Sequence, residues 1–161
     1  MITIKSLLVP TDFSDASAAA LRYGCALARA FDSTVHLLHV VQDPHVQPWA
    51  AEAFGVSLAG VLERWEQDAM AQLERLAAEG PGLRVERVTR VGHPYVEIVT
   101  YAAESRVGLI VMGTHGRGPV AHMLLGSVAE RVVRKAPCPV LTVRPGDPQV
   151  EALESGAIST E

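Results

Sequence analysis

Four stretches of this chain are rich in aliphatic residues and show no alternation: Ile4 to Val9 (IKSLLV), Thr34 to Val41 (TVHLLHVV), Val107 to Met112 (VGLIVM) and Val140 to Val143 (VLTV). A strand with one wet face alternates apolar and polar residues, because successive side chains point to opposite sides. Runs that do not alternate belong to strands covered on both faces, which usually means a parallel sheet. A fifth stretch, Leu83 to Arg90 (LRVERVTR), does alternate and reads as a more exposed strand at a sheet edge.

Helical patterns lie between these runs. Ser14 is placed to cap a first helix, with Asp15 in the first turn, where the helix dipole favours an anion. Ala20, Gly24, Leu27 and Phe31 form its apolar stripe. Leu58, Leu62, Trp65, Ala69, Leu73 and Leu76 recur every three or four residues, which puts Trp65 in the core, and Gly80-Pro81-Gly82 stops that helix. Pro94 suits the first turn of a third helix through Ile98 and Ala102. Ser127 to Lys135 forms a fourth, ending before Pro137. The order is strand and helix in strict turn, which predicts a single doubly wound α/β domain with right-handed crossovers. The most apolar strands, first and fourth, belong at the centre and the alternating third at an edge. A five-stranded parallel sheet of order 3-2-1-4-5 flanked by four helices satisfies both demands. Its switch point falls between strands one and four, where ligands bind beyond the carboxyl ends.

Composition narrows the class. At 161 residues and 48% hydrophobic, the chain is too apolar to be disordered and long enough for one core. The net charge is −4, and the pI of about 5.9 argues against a general nucleic-acid binder. That charge sits in the last residues, where Asp147, Glu151, Glu154 and Glu161 meet no Lys or Arg. Residues 146–161 read as a flexible tail behind a domain of residues 1–145. Gln42 to Gly55, with Pro44, Pro48 and Trp49, reads as a long loop or a helical lead-in. Trp49 covers a ligand or packs on the surface. No run approaches the roughly 20 apolar residues of a membrane span, and the start MITIKSLLVP is wrongly flanked for a signal peptide. A cytoplasmic protein without membrane or nucleic-acid partners is the expectation. Cys25 and Cys138 are too few for a disulfide framework and read as small buried residues.

The segment after the fourth strand carries the chemistry. Gly113-Thr114-His115-Gly116-Arg117-Gly118 is followed by Gly126 and Ser127 at the start of the last helix. Glycines permit positive φ and close backbone approach, and a helix start offers amides to an anion. A phosphate site and a merely flexible turn both fit. It is not a Walker A loop, which needs G-K-[ST], nor a dinucleotide fingerprint, which follows the first strand. His115 touches a phosphate or ribose, or only shapes the loop. Arg117 pairs with phosphate oxygens, or contributes its backbone amide alone. His36 and His39 have odd spacing on one strand and cannot form a metal pair on one face. His122 has no assigned role. No nucleophile triad or metal-ligand cluster is present, so no catalytic residue is assigned and fast phosphoryl transfer is not expected.

The spacing Gly113-x2-Gly116-x9-Gly126-Ser127 resembles the nucleotide motif of the universal stress protein family. Leu8 to Ser14 (LVPTDFS) resembles that family's first strand and turn, Gly92-His93-Pro94 with Ile98 the start of its third helix, and Pro137 to Val143 (PCPVLTV) its last strand. The resemblance implies an adenine nucleotide alpha hydrolase-like fold and an ATP-binding subclass, with Mg²⁺ or another divalent cation on the phosphates; AMP or ADP is the other ligand it allows. It implies that Pro10, Thr11 and Asp12 meet the nucleotide, Asp12 through the ribose hydroxyls, whereas the residues alone also fit a turn or cap for Asp12. It places adenine at the backbone of Val41. It wraps Met112, Gly113, His115, Gly116, Arg117, Gly126, Ser127 and Val128 around ribose and phosphates. It further implies a stress-response or signalling module that acts by binding, the alternative being a slow ATPase or adenylate-transfer enzyme. A homodimer through the last strand, Val140 to Arg144, completes these expectations.

Overall fold

The computed structural model describes residues 3–42, 58–78, 82–114 and 125–146. In chain order the elements are β1 (Ser6–Pro10), α1 (Asp15–Phe31), β2 (Thr34–Val41), α2 (Leu58–Ala78), β3 (Arg84–Val91), α3 (Pro94–Glu104), β4 (Leu109–Gly113), α4 (Ser127–Lys135) and β5 (Val140–Val143). The five strands form one sheet of order β3-β2-β1-β4-β5. Every pairing is parallel, with Leu8 opposite His36 on one side and Ile110 on the other. The expected topology is therefore the observed one. The ends of β1, β3 and β4 differ from expectation by one or two residues, whereas β2, β5 and α4 have the expected bounds.

The non-alternating runs are apolar on both faces because both faces are covered. Leu7 and Val9 of β1 pack with Val35, Leu37, Val111, Ala20 and Leu73 under α1 and α2. Leu8, between them, packs with Leu38, Ile110, Ile98, Ala102 and Val132 under α3 and α4. Leu7, Leu8, Val9, Leu37, Leu38 and Ile110 are completely buried. At roughly 1.5–3 kcal/mol per fully buried aliphatic side chain, these central strands supply much of the driving force. β3 at the edge is half-exposed along its length, as its alternation predicts.

Two details depart from the sequence expectation. Phe31, the last member of the α1 stripe, is 40% exposed, and Trp65 of α2 is 43% exposed. Both have the spacing of core residues yet stand exposed. The loop expected for Gln42 to Gly55, apart from Gln42, lies outside the described residues, as does the tail beyond Gly146. Among the described residues no helix is long and apolar enough to cross a membrane.

Candidate functional site

A cavity of about 800 Å³ opens at the carboxyl ends of the strands, within the range of small-molecule sites. It lies at the β1/β4 switch point. Pro10, Thr11, Asp12, Val41, Met112, Gly113, Gly126, Ser127 and Val128 all line it. His115, Gly116 and Arg117 lie outside the described residues.

The wall after β1 is a closed hydrogen-bond network. Thr11 N donates to Leu38 O at 2.8 Å, tying the turn to β2. Ser17 Oγ donates to Ser14 O at 2.9 Å. The single hydroxyl proton of Ser17 is thereby used, so Thr11 Oγ1 is the donor in its 3.0 Å bond to Ser17 Oγ. Thr11 Oγ1 in turn accepts from Phe13 N at 3.1 Å. Asp12 Oδ1 accepts from Ser14 N at 3.1 Å and Ser14 Oγ at 2.5 Å. Ser14 caps α1 by accepting from Ser17 N at 3.3 Å. The turn role weighed for Asp12 is therefore real, the cap itself being Ser14, and it holds the carboxylate at the cavity edge. Phe13 has φ of 63°, a conformation that costs a bulky residue on the order of 1–3 kcal/mol. Its ring stacks on His39 with centroids 4.4 Å apart. His39 Nδ1 bonds Thr11 O at 2.8 Å, and a carbonyl only accepts, so Nδ1 carries the proton.

His36 lies on the opposite face of β2, with Nδ1 2.8 Å from Tyr101 Oη and 3.4 Å from Glu86 Oε2. The two histidines are separated by the sheet, as their spacing requires. Among the described residues no group of three or more His, Cys, Asp or Glu converges on a metal position.

The opposite wall is built differently. β4 ends at Gly113, where an added Cβ would stand 2.8 Å from the backbone of Ala16. Gly113 does not have a positive φ, so the freedom that glycine permits is not used there. It is glycine because α1 packs directly on the strand end. The chain then turns at Thr114, whose N donates to Val143 O at 3.0 Å and whose O accepts from Gly126 N at 2.6 Å. These bonds fix the start of α4 beside the end of β4. The N-cap of α4 is Gly126, at φ −70° and ψ 155°, with no side-chain capping bond. Any residue adopts those angles, so backbone freedom does not explain this glycine. A glycine N-cap has no side chain to accept from the first-turn amides of Ser127, Val128 and Ala129, all three cavity-lining residues. With the helix dipole behind them, they suit an anion.

The far end of the cavity is formed by Val40 and Val41 of β2, by Gln42 just after it, and by Trp65, Asp68, Ala69 and Gln72 of α2. The carbonyl of Val41 accepts from Gly92 N at 3.0 Å and has a second lone pair for an incoming donor. Spacing-based reading missed Thr114, Ser17, His39 and the α2 residues as cavity wall. For α2 the available signal was Asp68 and Gln72, two polar residues one turn apart beside an apolar stripe.

Cys25 is buried and Cys138 half-buried. Burial raises the Cys138 thiol pKa above its ordinary value, partly offset by a backbone hydrogen bond from Ile110. A raised thiol is a poor nucleophile at neutral pH.

Comparison with known proteins places this arrangement. The model of the Universal stress protein family matches residues 3–144. Universal stress protein MJ0531 of Methanocaldococcus jannaschii is 36% identical over 140 residues, covering 87% of this chain and 82% of that protein. The solved structure of MJ0577, a universal stress protein of the same organism, superposes with a TM-score of 0.79 at 32% identity, covering 91% of this chain and 99% of the other. An Archaeoglobus fulgidus universal stress protein solved in complex with dAMP shares the fold, with a TM-score of 0.59 at 22% identity over 88% of this chain and 98% of the other. A match over nearly the whole described chain, together with the observed strand order, decides the family: the chain belongs to the universal stress proteins.

Proposed function

We propose that the cavity binds an adenine nucleotide, ATP first among them, and that the protein acts in stress response or signalling by binding rather than by fast catalysis. One observation carries this reading: an uncapped helix start and a fixed carboxylate, Asp12, line the same cavity at the switch point. The amides of Ser127, Val128 and Ala129 suit phosphate oxygens. The Asp12 carboxylate suits ribose hydroxyls, which donate to it. Met112, Gly113 and Thr11 close the floor between them, with Pro10 beside Thr11. His115, Gly116 and Arg117 extend the proposal along the phosphate loop. The Archaeoglobus protein's dAMP is a property of that protein, and its size and chemistry accord with this reading.

A divalent cation belongs to the same proposal. Mg²⁺ commonly keeps water and substrate phosphate oxygens as ligands and needs only one or two protein groups. The Ser127 hydroxyl is of the right chemistry for that, the Asp12 carboxylate being taken by the ribose. We also assign the domain to residues 1–145, with 146–161 as a tail, and place the protein in the cytoplasm with its nucleotide. The homodimer is proposed through β5, because that strand is a sheet edge whose outer backbone groups need covering. Light scattering at micromolar concentration should give twice the chain mass, and a monomer would overturn this assembly.

The nucleotide reading is tested by mass spectrometry of whatever copurifies and by titrating ATP into nucleotide-stripped protein. Saturable binding at one site per chain is expected. No binding at millimolar ATP would overturn the proposal.

A further inference from the structure

A further cavity, of about 610 Å³, lies between α3 and α4 and is lined by Tyr95, Ser127, Glu130, Arg131, Arg134 and Lys135. It shares only Ser127 with the cavity at the switch point. Three cations and one anion line it, and the anion, Glu130, is already paired with Arg134 at 3.0 Å. The other two cations share one ring. The Arg131 guanidinium stands 5.0 Å and the Lys135 Nζ 5.7 Å from the Tyr95 centroid. Among the described residues no carboxylate pairs with Arg131 or Lys135. The helix dipole accounts for Arg134 and Lys135, which lie in the last turn of α4. It does not account for Arg131, which forms with Lys135 a like-charge pair four residues apart, an arrangement that destabilises a helix. Two uncompensated cations held on one tyrosine ring make a patch complementary to an anion.

The chain itself carries such an anion. Beyond Arg144 it has Asp147, Glu151, Glu154 and Glu161 and no Lys or Arg. This segment starts close to the patch. Thr114 N donates to Val143 O at 3.0 Å and Thr114 O accepts from Gly126 N at 2.6 Å, so the chain leaves β5 beside the start of α4. Arg131 and Lys135 lie roughly 6 and 12 Å along the helix axis from Ser127 at the usual helical rise. At full extension Glu151 and Glu154 can stand up to about 16 and 26 Å from Gly146, so both can reach them. We infer that this acidic segment docks on α4 of its own chain, with the Glu151 and Glu154 carboxylates against Arg131, Arg134 and Lys135. Single exposed ion pairs are weak. Attachment compensates, because a short linker holds the acids at an effective concentration in the millimolar range. A separate acidic protein lacks that advantage, and a nucleic acid needs a broader basic surface than three side chains of a net acidic chain.

Lys5 and Lys135 are the two lysines of the chain and both are exposed, which makes carbodiimide coupling of carboxylates to lysine a specific probe. It is applied to the full-length protein as a mixture of isotope-labelled and unlabelled chains, with cross-links mapped by mass spectrometry. Glu151 or Glu154 should couple to Lys135 within one chain, about fivefold more than to Lys5, and the excess should vanish in about 1 M NaCl, where the screening length is about 3 Å. Arg131→Gln combined with Arg134→Gln leaves Lys135 as the reporter. The loss of these exposed pairs should lower the excess about threefold. Both arginines are exposed, so the double variant should fold as the parent does. Equal coupling to the two lysines in the parent at low salt would overturn the docking and leave the patch to a separate anionic partner. An excess that either salt or the double variant leaves unchanged, or cross-links formed only between chains, would overturn it as well.

Discussion

Two helix starts border the same cavity, and they are finished in opposite ways. The start of α1 satisfies itself: Ser14 accepts from Ser17 N, Asp12 accepts from Ser14, and Thr11 donates to Ser17. The start of α4 has glycine at the N-cap and no side-chain bond. A self-capped end presents fixed side chains and is stable without help. An uncapped end presents backbone amides and the positive end of the helix dipole. Under the nucleotide proposal the first is a scaffold that aims one carboxylate, and the second a receptor that a ligand completes. The contrast can be broken by giving α4 what α1 already has, or by taking it from α1.

The largest effect is expected from Gly126→Asp. An N-cap carboxylate would accept from the α4 amides and repel phosphate. Nucleotide affinity should fall by at least about 3 kcal/mol, roughly two orders of magnitude. Stability should rise by a few tenths of a kcal/mol, because Asp is a slightly better N-cap than Gly. Calorimetric titration and urea unfolding measure the two halves separately, and affinity and stability moving together would contradict the receptor role. Next comes Gly113→Val, in which the new side chain meets the Ala16 backbone where α1 leans on β4. A loss of about 2 kcal/mol of stability is expected from overpacking. Parent-like urea unfolding would mean that the strand end and helix can separate without cost.

Asp12→Ala sharpens the comparison from the scaffold side. It should weaken nucleotide by about 1.5 kcal/mol through the lost contact to the ribose, with 2′-deoxy nucleotide losing less. An unchanged affinity would leave Asp12 as a turn residue alone. Ser14→Ala should cost about 1 kcal/mol of stability, read from urea midpoints, through the lost cap. The smallest effect concerns Cys138. Its raised pKa keeps it protonated at neutral pH, so iodoacetamide should modify it more slowly than a free cysteine, with the rate rising steeply only at alkaline pH.

Strand order and the cavity at the switch point were legible in the chain because each follows from local patterns. Non-alternating runs marked β1, β2 and β4 as doubly covered, and the alternation of β3 marked an edge. Glycine followed by a helix start marked the wall at which the anion site is proposed. The α2 wall of the cavity was not legible, for a physical reason. Trp65 has core spacing, but periodicity says only which helical face a residue occupies. It does not say where along that face a cavity opens, and Trp65 lines one. Gly113 shows the converse. Its glycine was legible, but its cause is the approach of Ala16, a contact made only in three dimensions.

The receptor role of α4 is tested most directly by amide hydrogen exchange with and without saturating ATP. The account predicts that the amides of Ser127, Val128 and Ala129 exchange markedly more slowly when nucleotide is bound. The α1 amides held by the Ser14 cap should change little. Unchanged exchange at the start of α4 in protein shown to carry ATP would contradict the account, because the nucleotide would then be held somewhere other than this cavity.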